Sequence, residues 1–466
     1  MNSLWSLKAI ADAVGAPCAR DGAVGGISID TRTLAPHDLF VALKDARDGH
    51  DFVADAIGRG AVGALVSRDV PGVAPEKLIR VSDTLRGLEA LARVRRAEVS
   101  APIAAVTGSV GKTSTKEALR HLLSLQGRTH ASAASYNNLW GVPLSLARMP
   151  RDTQFGIFEI GMNHANEITP LVAQVRPHVA IVTTVAAVHL ENFASVAEIA
   201  DAKGEIFSGL VNQGVAVING DLEWSARLQS HARNASAARL IMFGRRAGCD
   251  IQLSSVALHE ETSDVEIVLF GKSVRYRIGA PGEHWVMNSL GVLGVISALG
   301  GDALRAADDM STLSALAGRG ARERIGIQGG TFDLIDESYN ANPLSMEAAI
   351  ATLGRAAPGP GGRRIAVLGD MLELGPTRDE LHAGLVQPLT RYGVDLLFAS
   401  GPLMRHLWEG VAERQRGGYA VTSSDIAHAV VKSVRSGDVV MIKGSYGSKM
   451  RVVVDALRAL NAESQT

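Results

Sequence analysis

The stretch Thr107-Gly-Ser-Val-Gly-Lys-Thr-Ser114 constrains this chain most, because it follows the apolar run Ile103-Ala-Ala-Val106 and opens a helix-like run from Ser114 to Leu125. Strand, glycine-bearing turn and helix in that order make a phosphate-binding loop. Backbone N–H groups of Gly108, Ser109, Val110 and Gly111 can curl around a polyphosphate, and the helix start at Ser114 adds favourable partial charge. Lys112 is then placed against the β- and γ-phosphates of ATP, and the Thr113 hydroxyl stands where such loops ligate Mg²⁺. Val106 occupies the place of the usual first glycine, so the motif is the shortened Gly-x-x-Gly-Lys-Thr variant.

Strand and helix signals alternate around this loop, which predicts an α/β chain in three parts. Residues 1–100 read as a small α/β domain, with strand-like Gly26–Ile29, Asp38–Leu43 and Val62–Val66 and a helix after Arg86. Residues 101–314 carry apolar runs at Ile103–Val106, Gly156–Ile160, Val179–Val182 and Val215–Asn219, as buried parallel strands require. That predicts an ATPase-like doubly wound sheet, with Ile251–Leu258, Asp264–Phe270 and Ser273–Ile278 as a subsidiary antiparallel sheet packed on it. Residues 315–466 open with a hairpin signal at Gly329-Gly330 and continue with strands at Ile365–Leu368, Leu396–Ala399 and Val439–Ile442, a Rossmann-like pattern.

Composition narrows the function classes. A formal charge of −1 and only short basic clusters argue against nucleic acid as the main partner. Two distant cysteines, Cys18 and Cys249, build neither a disulfide framework nor a zinc site. No signal-peptide layout opens the chain and no apolar run is long enough for a bilayer, so a cytoplasmic protein without membrane insertion is expected.

In open α/β sheets the carboxyl ends of the strands converge on the ligand crevice. Glu159 ends one strand and His189 follows another, so both are candidates to face the phosphates and bind metal. Lys203 sits on a predicted helix, where a lysine is ordinarily solvated. Polar loops at Asp336–Pro343, Gly369–Gly375 and Lys443–Lys449 also follow strands and suggest a second crevice. These features fit a ligase or a nucleotide switch, since a phosphate loop names the nucleotide and not the reaction.

The chain resembles the ATP-dependent Mur ligases over essentially its whole length. The resemblance runs through Asp30-Thr-Arg32, Gly108–Thr113, Tyr136-Asn-Asn138 with Gly141-Val-Pro143, Glu159-Ile-Gly-Met-Asn-His164, Ala202-Lys-Gly-Glu-Ile-Phe207, Glu337-Ser-Tyr-Asn-Ala-Asn342 and Gly369-Asp-Met-Leu-Glu-Leu-Gly375. The last two are similar to the branch that adds D-alanyl-D-alanine, and the Asp-Asn-Pro-Arg signature of the diaminopimelate- and lysine-adding members is absent. Folylpolyglutamate synthases share the same chemistry and are the neighbouring alternative.

The resemblance implies an N-terminal domain holding the UDP end of UDP-N-acetylmuramoyl-tripeptide, a central ATPase, and a C-terminal domain that brings D-alanyl-D-alanine. Carried over by position, Lys112, Glu159, His189 and Lys203 are catalytic, and Thr113, Glu159, His189 and a carbamylated Lys203 are metal ligands. Asn288, Arg322, Asp336 and Asn340 are implied nucleotide contacts, and Thr31, Arg32, Asn137 and Asn138 substrate contacts. A monomer is expected. Trp285 departs from the Asn found there in many members, and Leu139-Trp140 replaces a commoner acidic-Ile pair.

Overall fold

The structure, a computed structural model, describes residues 3–188 and 190–463. Its first sheet is parallel, in the order β1 (Gly26–Ser28), β2 (Asp38–Val41), β3 (Gly63–Val66) and β4 (Leu78–Arg80). The last strand is absent from the sequence reading, because three residues after a proline turn carry too little pattern. Helix α1 (Thr84–Glu98) follows, with the Asp83 side chain capping its start.

The central sheet contains β5 (Ile103–Thr107), β6 (Thr129–Ala131), β7 (Phe155–Glu159), β8 (Val179–Val182), β9 (Val215–Asn219), β10 (Arg239–Gly244), β11 (Ile251–Leu258), β12 (Ser263–Leu269) and β13 (Lys272–Ile278). Its spatial order is β13-β12-β11-β10-β9-β8-β5-β7-β6. Alternate residues of the inner strands enter two different cores: Ala104, Val106, Ile181 and Val217 on one face, Ile103, Ala105, Ala180 and Ile218 on the other. Burial on both faces is why these strands read as unbroken apolar runs.

The three antiparallel strands lie where expected, but they form no separate sheet packed on the main one. Strand β11 pairs with β10 in parallel through Phe243↔Ile251 and Gly244↔Gln252, so the antiparallel strands extend the same sheet edge-on. In β12 buried residues alternate with half-buried ones, which reflects one better covered face, a pattern equally compatible with either arrangement.

Four helices place the site. They are α2 (Lys112–Ser124), α3 (Gly141–Ala147), α4 (Val196–Gly204) and α5 (Glu283–Ala298). Helix α5 packs on the sheet face shared with α2, burying Trp285, Val286, Leu290, Val292 and Leu293.

The third sheet has β14 (Ala321–Ile327), β15 (Gly330–Glu337), β16 (Arg364–Gly369), β17 (Leu396–Ser400), β18 (Arg416–Ala420) and β19 (Val439–Lys443), in the order β14-β15-β19-β16-β17-β18. The expected hairpin turns at Gln328-Gly329, with Ile327 opposite Gly330. All other pairings in this sheet are parallel.

Candidate active site

Strand β5 lies between β8 and β7, so the segments leaving these three strands meet at one end of the sheet. The loop Gly108–Gly111 leaves β5 and enters α2, whose first N–H groups have no acceptor within the helix. Segment Thr183–Val188 leaves the sheet after Val182 and straps the loop. Ser109 N–H donates to Thr184 O at 2.8 Å, Val110 N–H to Thr184 Oγ1 at 2.9 Å, and Thr183 Oγ1 to Val110 O at 2.6 Å. A side chain at Gly108 would put its Cβ 2.0 Å from Thr183 Oγ1, so only glycine allows this approach. The loop is therefore held in shape by its own protein neighbours.

Glu159 ends β7 and is 1% exposed. Thr113 Oγ1 donates to its Oε2 at 2.9 Å, and Asn137 Nδ2 to its Oε1 at 2.7 Å. Lys112 Nζ donates to Gly108 O at 2.6 Å. Burial lowers the Lys112 pKa, while Glu159 raises it and the charge of Arg319, from the third part of the chain, lowers it. Asn288 on α5 lies against the same loop: a Cβ on Gly111 would fall 2.8 Å from its Oδ1.

Lys203, in the last turn of α4, is 2% exposed and not solvated. Its helix turns Ile199, Ala200, Ala202 and Lys203 inward together. Among the described residues it has no hydrogen bond or ion pair. Burial holds its amine well below the usual lysine range, and the charge of Lys112 pushes the same way. A buried unpaired ammonium is costly, so this position favours a neutral amine or a modified one.

His189 lies outside the described residues. Among the described residues no group of three or more His, Cys, Asp or Glu side chains could hold a metal by itself. The donor set present, one clamped carboxylate and the Thr113 hydroxyl beside a phosphate loop, nevertheless fits Mg²⁺, which takes few protein ligands and keeps phosphate and water oxygens.

Mur ligase middle domain sequences match residues 106–296, and the Mur ligase, glutamate ligase domain matches residues 322–446. A UDP-N-acetylmuramoyl-tripeptide--D-alanyl-D-alanine ligase of Rickettsia prowazekii is 31% identical, covering 97% of this chain and 99% of its own. The protein of the same name from Escherichia coli is 33% identical over 94% of each chain. The chain belongs to the Mur ligase family. A MurF crystal structure from Acinetobacter baumannii superposes with a TM-score of 0.84 at 27% identity, covering 98% of this chain and 99% of that one. A MurF ligase of Thermotoga maritima in complex with ADP gives 0.76 at 25% identity, covering 94% and 98%.

Within this Mur ligase chain several of the implied contact residues are engaged by the protein's own groups. Asp336 is fully buried, accepts from Ser338 N and Oγ, and receives Arg458 Nη2 at 3.3 Å, so it caps a turn and does not face the crevice. Arg322 lies on the same face of the β14–β15 hairpin as Glu337, where Glu260 at 2.6 Å and Asp333 at 2.7 Å occupy its guanidinium. Asn340 is exposed, with its Oδ1 taken by Ala341 N–H and its carbonyl by Lys443.

Beside them, Glu337 pairs with Lys443 Nζ at 3.2 Å, and Arg319 lies 4.2 Å over the Tyr339 ring. Strand alternation was the available signal: adjacent Asp336 and Glu337 point to opposite faces of β15.

Asn137 is turned onto Glu159, and Asn138 Oδ1 accepts from Gly141 N–H at the start of α3. Asn137 is half-buried and Asn138 exposed, each side chain with one protein hydrogen bond. Thr31 is half-buried, and Arg32 is exposed and held in a fork by Asp30, with Nη2 at 2.6 Å from Oδ2.

Proposed function

We propose that this chain joins D-alanyl-D-alanine to UDP-N-acetylmuramoyl-tripeptide with ATP, an ADP-forming step of peptidoglycan precursor synthesis in the cytoplasm. What carries the reading is that similarity to ligases of that name extends through the first, central and third sheets, over 97% of the chain. No helix among the described residues is long and apolar enough to cross a membrane, in keeping with a soluble nucleotide-sugar substrate. A working monomer is part of the proposal.

The chemistry follows from what the residues can do. A substrate carboxylate oxygen bonds to the γ-phosphorus of ATP as ADP leaves, giving an acyl phosphate. The dipeptide amine then attacks the acyl carbon and inorganic phosphate departs. Both reactants in the first step are anions, so their approach needs positive charge. Lys112, the loop N–H groups and Arg319 supply it from the protein. Thr113 and Glu159 would hold Mg²⁺, which neutralises phosphate charge when bound. Lys203, carbamylated through its neutral amine, would add a carboxylate beside them. Arg319 and Tyr339 come from the third part of the chain, so its closure both completes the charge set and keeps water from the acyl phosphate.

A coupled phosphate-release assay over a panel of UDP-muramoyl peptides and amines tests this. Release that needs both the tripeptide acid and D-alanyl-D-alanine is expected. Release without either substrate, or preference for another amine, would overturn the assignment.

A further inference from the structure

Lys116 lies one turn into α2 and is 0% exposed, yet nothing in the reaction uses it. Its ammonium is spent on the protein: Nζ donates to Ser132 O at 2.9 Å and Ala134 O at 2.7 Å, and meets Glu117 Oε1 at 2.7 Å. Those carbonyls belong to the loop that leaves β6 and carries Asn137. The loop is not relaxed. Ala134 holds φ +46°, a left-handed conformation that costs a non-glycine residue about 1 kcal/mol or more and persists only where its surroundings enforce it.

The contacts form a closed circuit. Thr113 and Lys116 are neighbours three residues apart on α2. Thr113 holds one oxygen of Glu159, Lys116 holds the loop, and Asn137 on that loop holds the other oxygen. Ser132 closes the circuit again by accepting from the Glu159 N–H at 3.3 Å. We propose that Lys116 is a positioning residue that aims the Glu159 carboxylate at the metal, acting through the Ser132–Asn137 loop.

The proposal rests on Glu159 being a metal ligand, and the experiment separates the two. Mn²⁺ binding to the ADP complex of the full chain is measured by calorimetric titration, and ADP binding is measured without metal. Lys116→Met should weaken Mn²⁺ about tenfold, the range for partners that orient a ligand, with metal-free ADP affinity unchanged. Asn137→Ala should act similarly, and the double variant should be no worse than Asn137→Ala alone, because both break one circuit.

Unchanged Mn²⁺ affinity in Lys116→Met, an additive double loss, or an equal loss of metal-free ADP binding would overturn it. Glu159→Gln is the separating control: if it binds Mn²⁺ like the wild type, the metal reading itself has failed. Should Lys116→Met not fold, Lys116→Gln is compared with and without Ala134→Gly. Glycine removes the strain the lysine holds in place, so it should restore part of the Mn²⁺ affinity, and no restoration would refute the role.

Discussion

The first and third parts of the chain are joined to the centre in opposite ways. The first is fused by a shared core: Trp5, Leu7, Leu88 and Leu91 pack in one cluster with Leu144 and Ala147 of α3. Arg95 on α1 is fully buried, lies 4.1 Å over the Trp5 ring, and donates to Leu4 O at 2.7 Å and to Met149 O. Trp5 Nε1 donates to Ala147 O at 2.8 Å. No hydrophobic cluster among the described residues joins the third part to the centre; its two cores draw only on residues from Ile325 onward. Contact there is polar or backbone: Tyr339 O–H to Ser135 Oγ at 2.7 Å, Arg322 to Glu260, and Gly375 against the Leu190 carbonyl. Apolar burial fixes a junction, whereas a few polar contacts can be made and released at small net cost. The molecule thus has one fixture and one hinge.

Perturbing the centre should affect turnover without touching either junction. Lys112→Ala removes charge beside the transferring phosphoryl group, so turnover at saturating ATP should fall by about 10²- to 10⁴-fold with the melting midpoint unchanged. Turnover near that of the wild type would take the loop out of the mechanism.

Lys203→Met should separate stability from activity. Activity should drop by about 100-fold or more if the residue supports phosphoryl transfer. Stability should rise, since a buried unpaired amine is removed. The sign follows from linkage: with the folded pKa depressed, the unfolded state binds more protons, so wild-type stability climbs as pH rises toward 10.5. The gain of the variant, measured by urea unfolding in CO₂-free buffer, should be largest at low pH and fade toward that value. A gain independent of pH would contradict the depressed amine.

At the fixture, Arg95→Ala strands the Met149 and Leu4 carbonyls and should cost about 3 kcal/mol in unfolding free energy. A loss below about 1 kcal/mol, the usual surface value, would show that the junction is not fixed by this residue. At the hinge, Tyr339→Phe should lower turnover by up to about tenfold, the worth of one hydrogen bond, while leaving unfolding unchanged. A stability loss with intact turnover would reverse the comparison. The smallest effect belongs to Arg322→Ala, whose partly exposed pairs should be worth about 1 kcal/mol or less by denaturant melts.

Much of this was legible in the sequence. Buried parallel strands announce themselves as short apolar runs, and Ile103–Thr107 with the loop after it fixed both the sheet and the nucleotide end. What escaped depends on contacts distant along the chain. The burial of Lys203 follows from what packs on α4, and a three-letter neighbourhood of Ala-Lys-Gly carries no hint of it. Whether β11 joins β10 or starts a new sheet turns on a two-residue pairing. Arg319 and Arg322 are equally basic in sequence, and only the Glu260 and Asp333 partners of Arg322 tell them apart. Nothing local in the sequence marks Lys116, since the carbonyls it holds are 16 and 18 residues away.

The register of β7 also governs which changes in chain length this protein can inherit. Val106 stands opposite Glu159, and within β7 Ile157 faces the core under α2 while Phe158 faces the opposite one. One residue inserted in β7 ahead of Glu159 would turn the carboxylate through the sheet, away from Thr113, while leaving the composition of the strand almost unaltered. The exposed tip at Pro360 and Gly361 has no such parity to keep. Descent can therefore lengthen the chain at that tip residue by residue, but near Glu159 it is limited to exchanging one side chain for another.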